Sequence, residues 1–158
     1  MSVSVICPGS FDPVTLGHLD VFERAAATYD RVVVAVVGNP SKSGMFDVDE
    51  RIAMIEAELS GVDNVEVIAH QGLLVELCRD RGIMTLCKGL RSVGDFEYEL
   101  QMAQMNRHLA GVETVFMATA PAHAHISSSL VKEIAKAGGP VTGLVPDAVE
   151  RALAARVA

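Results

Sequence analysis

Three short segments of this chain combine residue types that bind and polarise phosphate. The first is Pro8-Gly9-Ser10-Phe11-Asp12-Pro13, followed closely by Thr15-Leu16-Gly17-His18. Gly9 lets a backbone approach a ligand, and Ser10 adds a hydroxyl. A helix opening near Thr15 would present unpaired N–H groups and a partial positive charge, which together suit an anion. Thr15 and His18 are three apart, so both can face that anion; a capping or packed histidine is the alternative on spacing alone. The pattern is neither the G-x-G-x-x-G dinucleotide loop nor a P-loop.

The second segment is Lys88-Gly89-Leu90-Arg91, two cations flanking a glycine. A lysine suits a point contact to phosphate, and an arginine can clamp two oxygens; the bland reading is a solvated basic turn. The third is Ile126-Ser127-Ser128-Ser129-Leu130-Val131-Lys132-Glu133. One serine hydroxyl suffices as an N-cap, which would leave the other two for phosphate oxygens. Lys42, in Asn39-Pro40-Ser41-Lys42-Ser43-Gly44, could reach the same cleft or be an ordinary loop lysine.

These segments need a frame that brings them together. Strand-like runs are Val3 to Cys7, Arg31 to Val37, Val65 to Ala69, Met84 to Lys88 and Thr114 to Ala118. The second of them, RVVVAVV, is a near-continuous apolar run, as in a strand buried on both faces. Helical patterns lie between and after them. Phe22, Ala25, Ala26 and Tyr29 repeat at helical spacing, and Val48 to Leu59, Leu73 to Arg81 and Asp95 to Leu109 behave similarly. Ser127 to Ala137 and Pro146 to Val157 close the chain as helices. The alternation predicts an α/β, Rossmann-like, doubly wound parallel five-stranded sheet with helices on both faces. Ligands of such sheets bind beyond the carboxyl ends of the strands, and each phosphate-suited segment follows a strand.

The helix from Asp95 carries two apolar stripes. Phe96, Leu100 and Ala103 form one; Tyr98, Met102, Met105 and Leu109 form the other. One stripe is expected to serve the protein's own core and the second a neighbouring subunit.

Bulk properties narrow the function classes. The 158 residues fit one domain. A net charge of -7 argues against a general nucleic-acid binder, which needs a basic face. No apolar run approaches the ~20 residues of a membrane span, and the N-terminus lacks a signal-peptide pattern, so a cytoplasmic location is expected. The three cysteines form no C-x-x-C pair and read as buried free thiols.

The string P-G-S-F-D-P-V-T-L-G-H resembles the T/H-x-G-H signature of the nucleotidylyltransferase superfamily, with Thr15 where many relatives carry a first histidine. Together with K-G-L-R, D-F-E-Y-E-L-Q-M-A-Q-M-N-R-H and I-S-S-S-L-V-K-E, it is similar to one branch, the bacterial phosphopantetheine adenylyltransferases. The likeness runs from Pro8 to the last helix, and the joint order and spacing of the motifs are specific. It implies adenylyl transfer from ATP to 4′-phosphopantetheine, giving dephospho-coenzyme A and pyrophosphate, with Mg²⁺ and a homohexamer.

By resemblance His18 stabilises the transition state, and Ser10, Lys42, Leu74 and Lys88 bind phosphopantetheine. Ser10, Phe11, His18, Gly89, Leu90, Arg91, Glu99 and the segment Ala124, His125, Ile126, Ser127, Ser128, Ser129 and Leu130 hold ATP. No residue is implied as a direct metal ligand. The stretch Ala120-Pro121-Ala122-His123-Ala124-His125 departs from the family, which has aromatic residues near its last positions; His123 is expected beside the adenine. Other superfamily members, acting with CTP on an alcohol phosphate or with nicotinate mononucleotide, carry an arginine and threonine in place of the serine triplet. A non-catalytic nucleotide-binding module on the same fold would not need His18 together with two phosphate sites.

Overall fold

The computed structural model describes residues 2–38 and 44–158. Its strands are β1 (Ser4–Gly9), β2 (Arg31–Val37), β3 (Val65–His70), β4 (Thr85–Leu90) and β5 (Glu113–Ala118). The helices are α1 (Leu16–Thr28), α2 (Val48–Glu58), α3 (Leu74–Arg81), α4 (Val93–Ala110), α5 (Ser128–Lys136) and α6 (Asp147–Val157), with a short 3₁₀ turn at Pro121–His123.

All strand pairings are parallel, in the order β3-β2-β1-β4-β5. This is the doubly wound sheet expected from the alternation. Successive residues of the central strands feed opposite cores. Val5, Cys7, Val32, Val34 and Val36 pack under α1, α2, α5 and α6, whereas Ile6, Val33, Ala35 and Leu86 pack with Val75, Leu77 and Cys78 of α3. Burial on both faces is why the Val-rich β2 has no polar alternation. The three cysteines are buried free thiols. A hydrogen bond with Cys87, together with burial, holds the Cys7 thiol well above the usual thiol range.

The chain order reverses between β1 and β4. These two strands pair through Ile6 and Leu86, whereas β1 and β2 stay in register at six positions from Ser4 to Gly9. Beyond Ile6 and Leu86 the central strands part, which opens a crevice at the carboxyl edge. Two strands also run further than the residue pattern indicated. β1 reaches Gly9, and β4 reaches Leu90 because Gly89 and Leu90 continue the ladder to Met117 and Ala118. Lys88 and Gly89 therefore lie within the sheet edge rather than in a turn after it.

Helix α4 departs from expectation. It was to bury one stripe in the protein's own core, yet Asn106 is its only buried residue among those described. Phe96 and Leu100 are each more than a third exposed, although Phe96 makes an edge contact with Phe116 at 5.5 Å. Tyr98, Met102, Met105 and Leu109 of the other stripe are exposed as well, as is Val115 on the adjoining edge strand. The physical reason is position: α4 lies at the β4–β5 end of the sheet, where the edge strand β5 leaves its own Val115 exposed and Phe116 and Met117 only partly buried. No helix among the described residues is long and apolar enough to cross a membrane.

Candidate active site

The parted ends of β1 and β4 form one wall of a cleft of about 700 Å³, and the N-termini of α1 and α5 form the other. That volume lies in the range of small-molecule sites.

The β1–α1 loop is built around an aromatic cluster. The Phe11 ring meets His18 edge-on at 5.0 Å and Phe22 at 5.1 Å, and the His18 ring stacks on Phe22 with 19° between planes. Phe11 sits at φ 49°, a left-handed conformation that a bulky side chain tolerates only when its surroundings hold it. Gly9 makes room for that ring: a Cβ at position 9 would lie 2.7 Å from the Phe11 ring. Gly9→Ala is therefore expected to lose about 1–3 kcal/mol of stability by overpacking, and to lose turnover as Phe11 and His18 shift. Chemical denaturation and a rate assay check this; wild-type values in both would show that the ring has another place to go.

His18 is oriented by its own helix cap. Thr15 caps α1, and its backbone N–H donates to His18 Nδ1 at 3.1 Å. A nitrogen that accepts a hydrogen bond carries no proton, so the proton of a neutral ring resides on Nε2. Burial, and secondarily the positive charge of Arg91, lower the His18 pKa to about 4. At neutral pH His18 is thus an uncharged imidazole with a fixed Nε2–H donor. Thr15 lines the cleft with His18, its hydroxyl engaged in the cap, 3.4 Å from His18 N and 3.2 Å from Nδ1, and the residue is 1% exposed. From within the cap it positions the histidine.

The serine triplet divides in a way that spacing did not reveal. Ser127 caps α5 by accepting from Leu130 N at 3.1 Å. Ser128 donates to Pro13 O at 2.8 Å, tying the helix to the first loop. Only Ser128 has spent its proton; the Ser127 O–H, whose oxygen accepts the cap bond, and the Ser129 hydroxyl remain as donors to a ligand. The first N–H groups of α5 supplement them.

Each cleft cation among the described residues has a partner. Lys88 Nζ is 3.3 Å from Glu99 Oε1. Arg91 donates to both carboxylate oxygens of Asp95, at 3.0 and 3.2 Å, and to Ile126 O at 2.8 Å. Arg91 thereby ties the β4–α4 turn to the segment before α5. Binding a phosphate group here exchanges or shares these partners.

A further set stands below the Ser10 loop. Asp12 is 7% exposed and accepts from Met45 N, Phe46 N and Lys132 Nζ, each at 2.9 Å. Burial alone would raise its pKa, but the Lys132 bond and the two N–H groups outweigh burial and lower it. Arg51, also 7% exposed, donates to Phe46 O and to Ser10 O, both at 2.9 Å. These residues hold the β1–α1 loop from beneath. Sequence reasoning did not single out Asp12, Arg51 or Lys132. Asp12 stood inside a phosphate-loop string, and Lys132 lies one helical turn after Ser128; Arg51 left no signal in its own segment.

Of the residues that the resemblance implied, Ser10, Phe11, His18, Lys88, Gly89, Arg91, Glu99, Ile126, Ser127, Ser128 and Ser129 line the cleft. Leu74 lines a second cavity of about 280 Å³ that shares Ser10, Lys88 and Glu99 with the cleft. Leu90, Ala124, His125 and Leu130 line neither. Lys42 lies outside the described residues. His123 packs over the first turn of α1, with its Cβ 3.6 Å from where a Cβ of Gly17 would stand, and it does not line the cleft.

Residues 6–134 match the cytidylyltransferase-like family. In fold the chain is similar to a protein of Vibrio parahaemolyticus described as a nicotinate-nucleotide adenylyltransferase. The TM-score is 0.66 at 18% identity, over 98% of this chain and 99% of that one. A lipopolysaccharide core biosynthesis protein of Thermoplasma volcanium is similar over 76% of this chain and 99% of its own, with a TM-score of 0.54 and 23% identity. At such identities these two structures attest the fold alone.

Proposed function

The chain belongs to the cytidylyltransferase-like family of nucleotidyltransferases, and from that premise we propose that it transfers the adenylyl group of ATP to 4′-phosphopantetheine, giving dephospho-coenzyme A and pyrophosphate. The observation that carries this choice of acceptor is the second cavity. It begins at Ser10, Lys88 and Glu99, where the phosphate cleft ends, and continues between Leu74, Leu86, Tyr98, Met102 and Ala103. An acceptor with a phosphate at one end and a long, narrow arm in which methyl and methylene groups alternate with amides fits that sequence of surfaces. A mononucleotide would bring a polar sugar and base into it.

The chemistry needs little from the protein beyond geometry and charge. A phosphate monoester loses its second proton near pH ~6, so the acceptor is already a nucleophile at neutral pH. Its oxygen bonds to the α-phosphorus as the bond from that phosphorus to the bridging oxygen breaks, and pyrophosphate leaves with the electron pair. Positioning and charge stabilisation dominate such transfers. The His18 Nε2–H donates to the charge that develops on the transferring group. Lys88 holds the acceptor phosphate, and Arg91, Ser129 and the N-terminus of α5 hold the triphosphate. Mg²⁺ comes with ATP in this reading. When bound with ATP it would offset the negative charge of the triphosphate, beside Arg91 and the N-terminus of α5.

The test is direct. Purified protein with ATP, Mg²⁺ and 4′-phosphopantetheine is expected to release pyrophosphate and form dephospho-coenzyme A. Turnover only with CTP, or only with nicotinate mononucleotide or another phosphorylated acceptor, would defeat the reading.

The exposed stripes of α4 support self-association, and the family resemblance sets the proposed number at six. Apolar surface of this extent on one helix is ordinarily covered. Sedimentation at micromolar concentration is expected to show an oligomer; a monomer would rule the contact out.

A further inference from the structure

Two cations share one carboxylate in the corner of the cleft between α2, α5 and the β1–α1 loop. Lys132 Nζ lies 2.9 Å from Asp12 Oδ2, and Arg51 Nε lies 4.0 Å from Asp12 Oδ1. The other carboxylates that line the cleft, Asp95 and Glu99, are paired with Arg91 and Lys88. Among the described residues that line the cleft, one positive charge in this corner therefore has no carboxylate of its own. Arg51 is 7% exposed, and its two carbonyl partners satisfy its N–H groups without cancelling its charge. A buried charge without a counter-charge is costly, so the corner suits an anion that enters from the cleft.

Lys132 is the member of this corner that a ligand can reach. Its side chain is 26% exposed, it lines the cleft, and its hydrogen bond to Asp12 uses one of three ammonium protons. Ser128 and Lys132 stand one turn apart on the face of α5 that meets the β1–α1 loop, the first bonded to Pro13 O and the second to Asp12. The corner is also kept open, because a Cβ on Gly44 would stand 3.0 Å from both Arg51 Nη2 and Asp12 Oδ2.

The two layers of the fold decide which part of a nucleotide falls here. The second cavity is walled by Leu74 and Leu86, which belong to the core on the α3 side of the sheet. Lys132 and Arg51 come from α5 and α2, whose Val131 and Ile55 pack in the opposite core. Attacking and leaving oxygens lie roughly in line across the transferred phosphorus. An acceptor that enters from the α3 side thus sends the leaving group toward α2 and α5.

We propose that Lys132, aimed by Asp12 and backed by the charge of Arg51, binds the pyrophosphate that the reaction releases. The inference rests on the nucleotidyl-transfer reading above and deepens it, by naming a contact for the β- and γ-phosphates beyond Arg91 and the N-terminus of α5.

The experiment measures binding of inorganic pyrophosphate, ATP and AMP by calorimetry, with wild type, Lys132→Gln and Lys132→Arg. A glutamine amide can still donate to Asp12 but carries no charge. Lys132→Gln is expected to weaken the binding of pyrophosphate and ATP by about 10- to 100-fold, the effect of losing a charge-assisted hydrogen bond. AMP, which lacks the leaving group, should bind within a few-fold of wild type. Lys132→Arg should keep most of the pyrophosphate affinity. An unchanged pyrophosphate affinity in Lys132→Gln, or an equal loss for AMP and pyrophosphate, would overturn the assignment. An arginine variant as weak as the glutamine one would overturn it too. These readouts need no turnover, so the choice of acceptor stands or falls separately, in the assay with 4′-phosphopantetheine.

Discussion

Replacement of His18 by alanine is expected to lower kcat by about 10²–10³ while leaving the Kd for ATP within a few-fold of wild type. The ground for this split is the geometry of the ring. Its Nδ1 is occupied by the Thr15 N–H, its planes are packed by Phe11 and Phe22, and only Nε2–H is left for a ligand. A neutral donor adds little to the binding of an already charged ground state, and more as charge builds on the transferring group. Burial, with the Arg91 charge, sets the pKa at about 4, which also fixes the pH dependence. The group is uncharged well above that value, so it contributes no ionisation between pH 6 and 8. A falling acid limb near pH ~6 would instead report the second ionisation of the acceptor phosphate. The measurement is kcat and KM across that range, with an independent ATP Kd for the variant. A loss confined to ATP affinity would make His18 a ground-state ligand.

Lys88 and Arg91 are expected to divide between the two substrates. Arg91→Ala should raise KM for ATP by about 10- to 100-fold, the effect of losing one or two charge-assisted hydrogen bonds. Lys88→Ala should raise KM for the acceptor by a similar factor. Lys88 stands where the cleft meets the second cavity, while Arg91 reaches across to Ile126 O beside the N-terminus of α5. Arg91 has a second duty, because it also secures the β4–α4 turn through Asp95. Arg91→Lys keeps the charge but loses the fork, and is expected to recover only part of the ATP affinity. Equal effects of Lys88→Ala and Arg91→Ala on both substrates would show a single shared anion pocket.

The sheet was legible because burial writes itself into short runs of sequence. A strand covered on both faces must be apolar where it is covered, and Val32 to Val36 is the plainest case. Phosphate-suited segments were legible for a related reason: a loop at a strand end needs particular residue types close together, as in Gly9, Ser10 and His18, or Lys88 and Arg91. With the fold predicted, their meeting at one edge of the sheet followed.

The assignment of hydrogen bonds did not follow, because it depends on partners far apart along the chain. Ser128 is spent on Pro13, 115 residues away, and Lys132 on Asp12, 120 residues away. Nothing in the local spacing of three serines tells which of them a distant carbonyl will claim. Spacing brings Thr15 and His18 to one side of the helix start, and only the structure shows that the N-cap hydroxyl and the N3 side chain also engage each other there. Arg51 was invisible for the same reason, since its guanidinium serves carbonyls of two other segments. Periodicity likewise found both stripes of α4 without telling which would be covered. An amphipathic pattern records that a face avoids water, while the identity of the surface that meets it is set only when the helix is placed against the rest of the molecule.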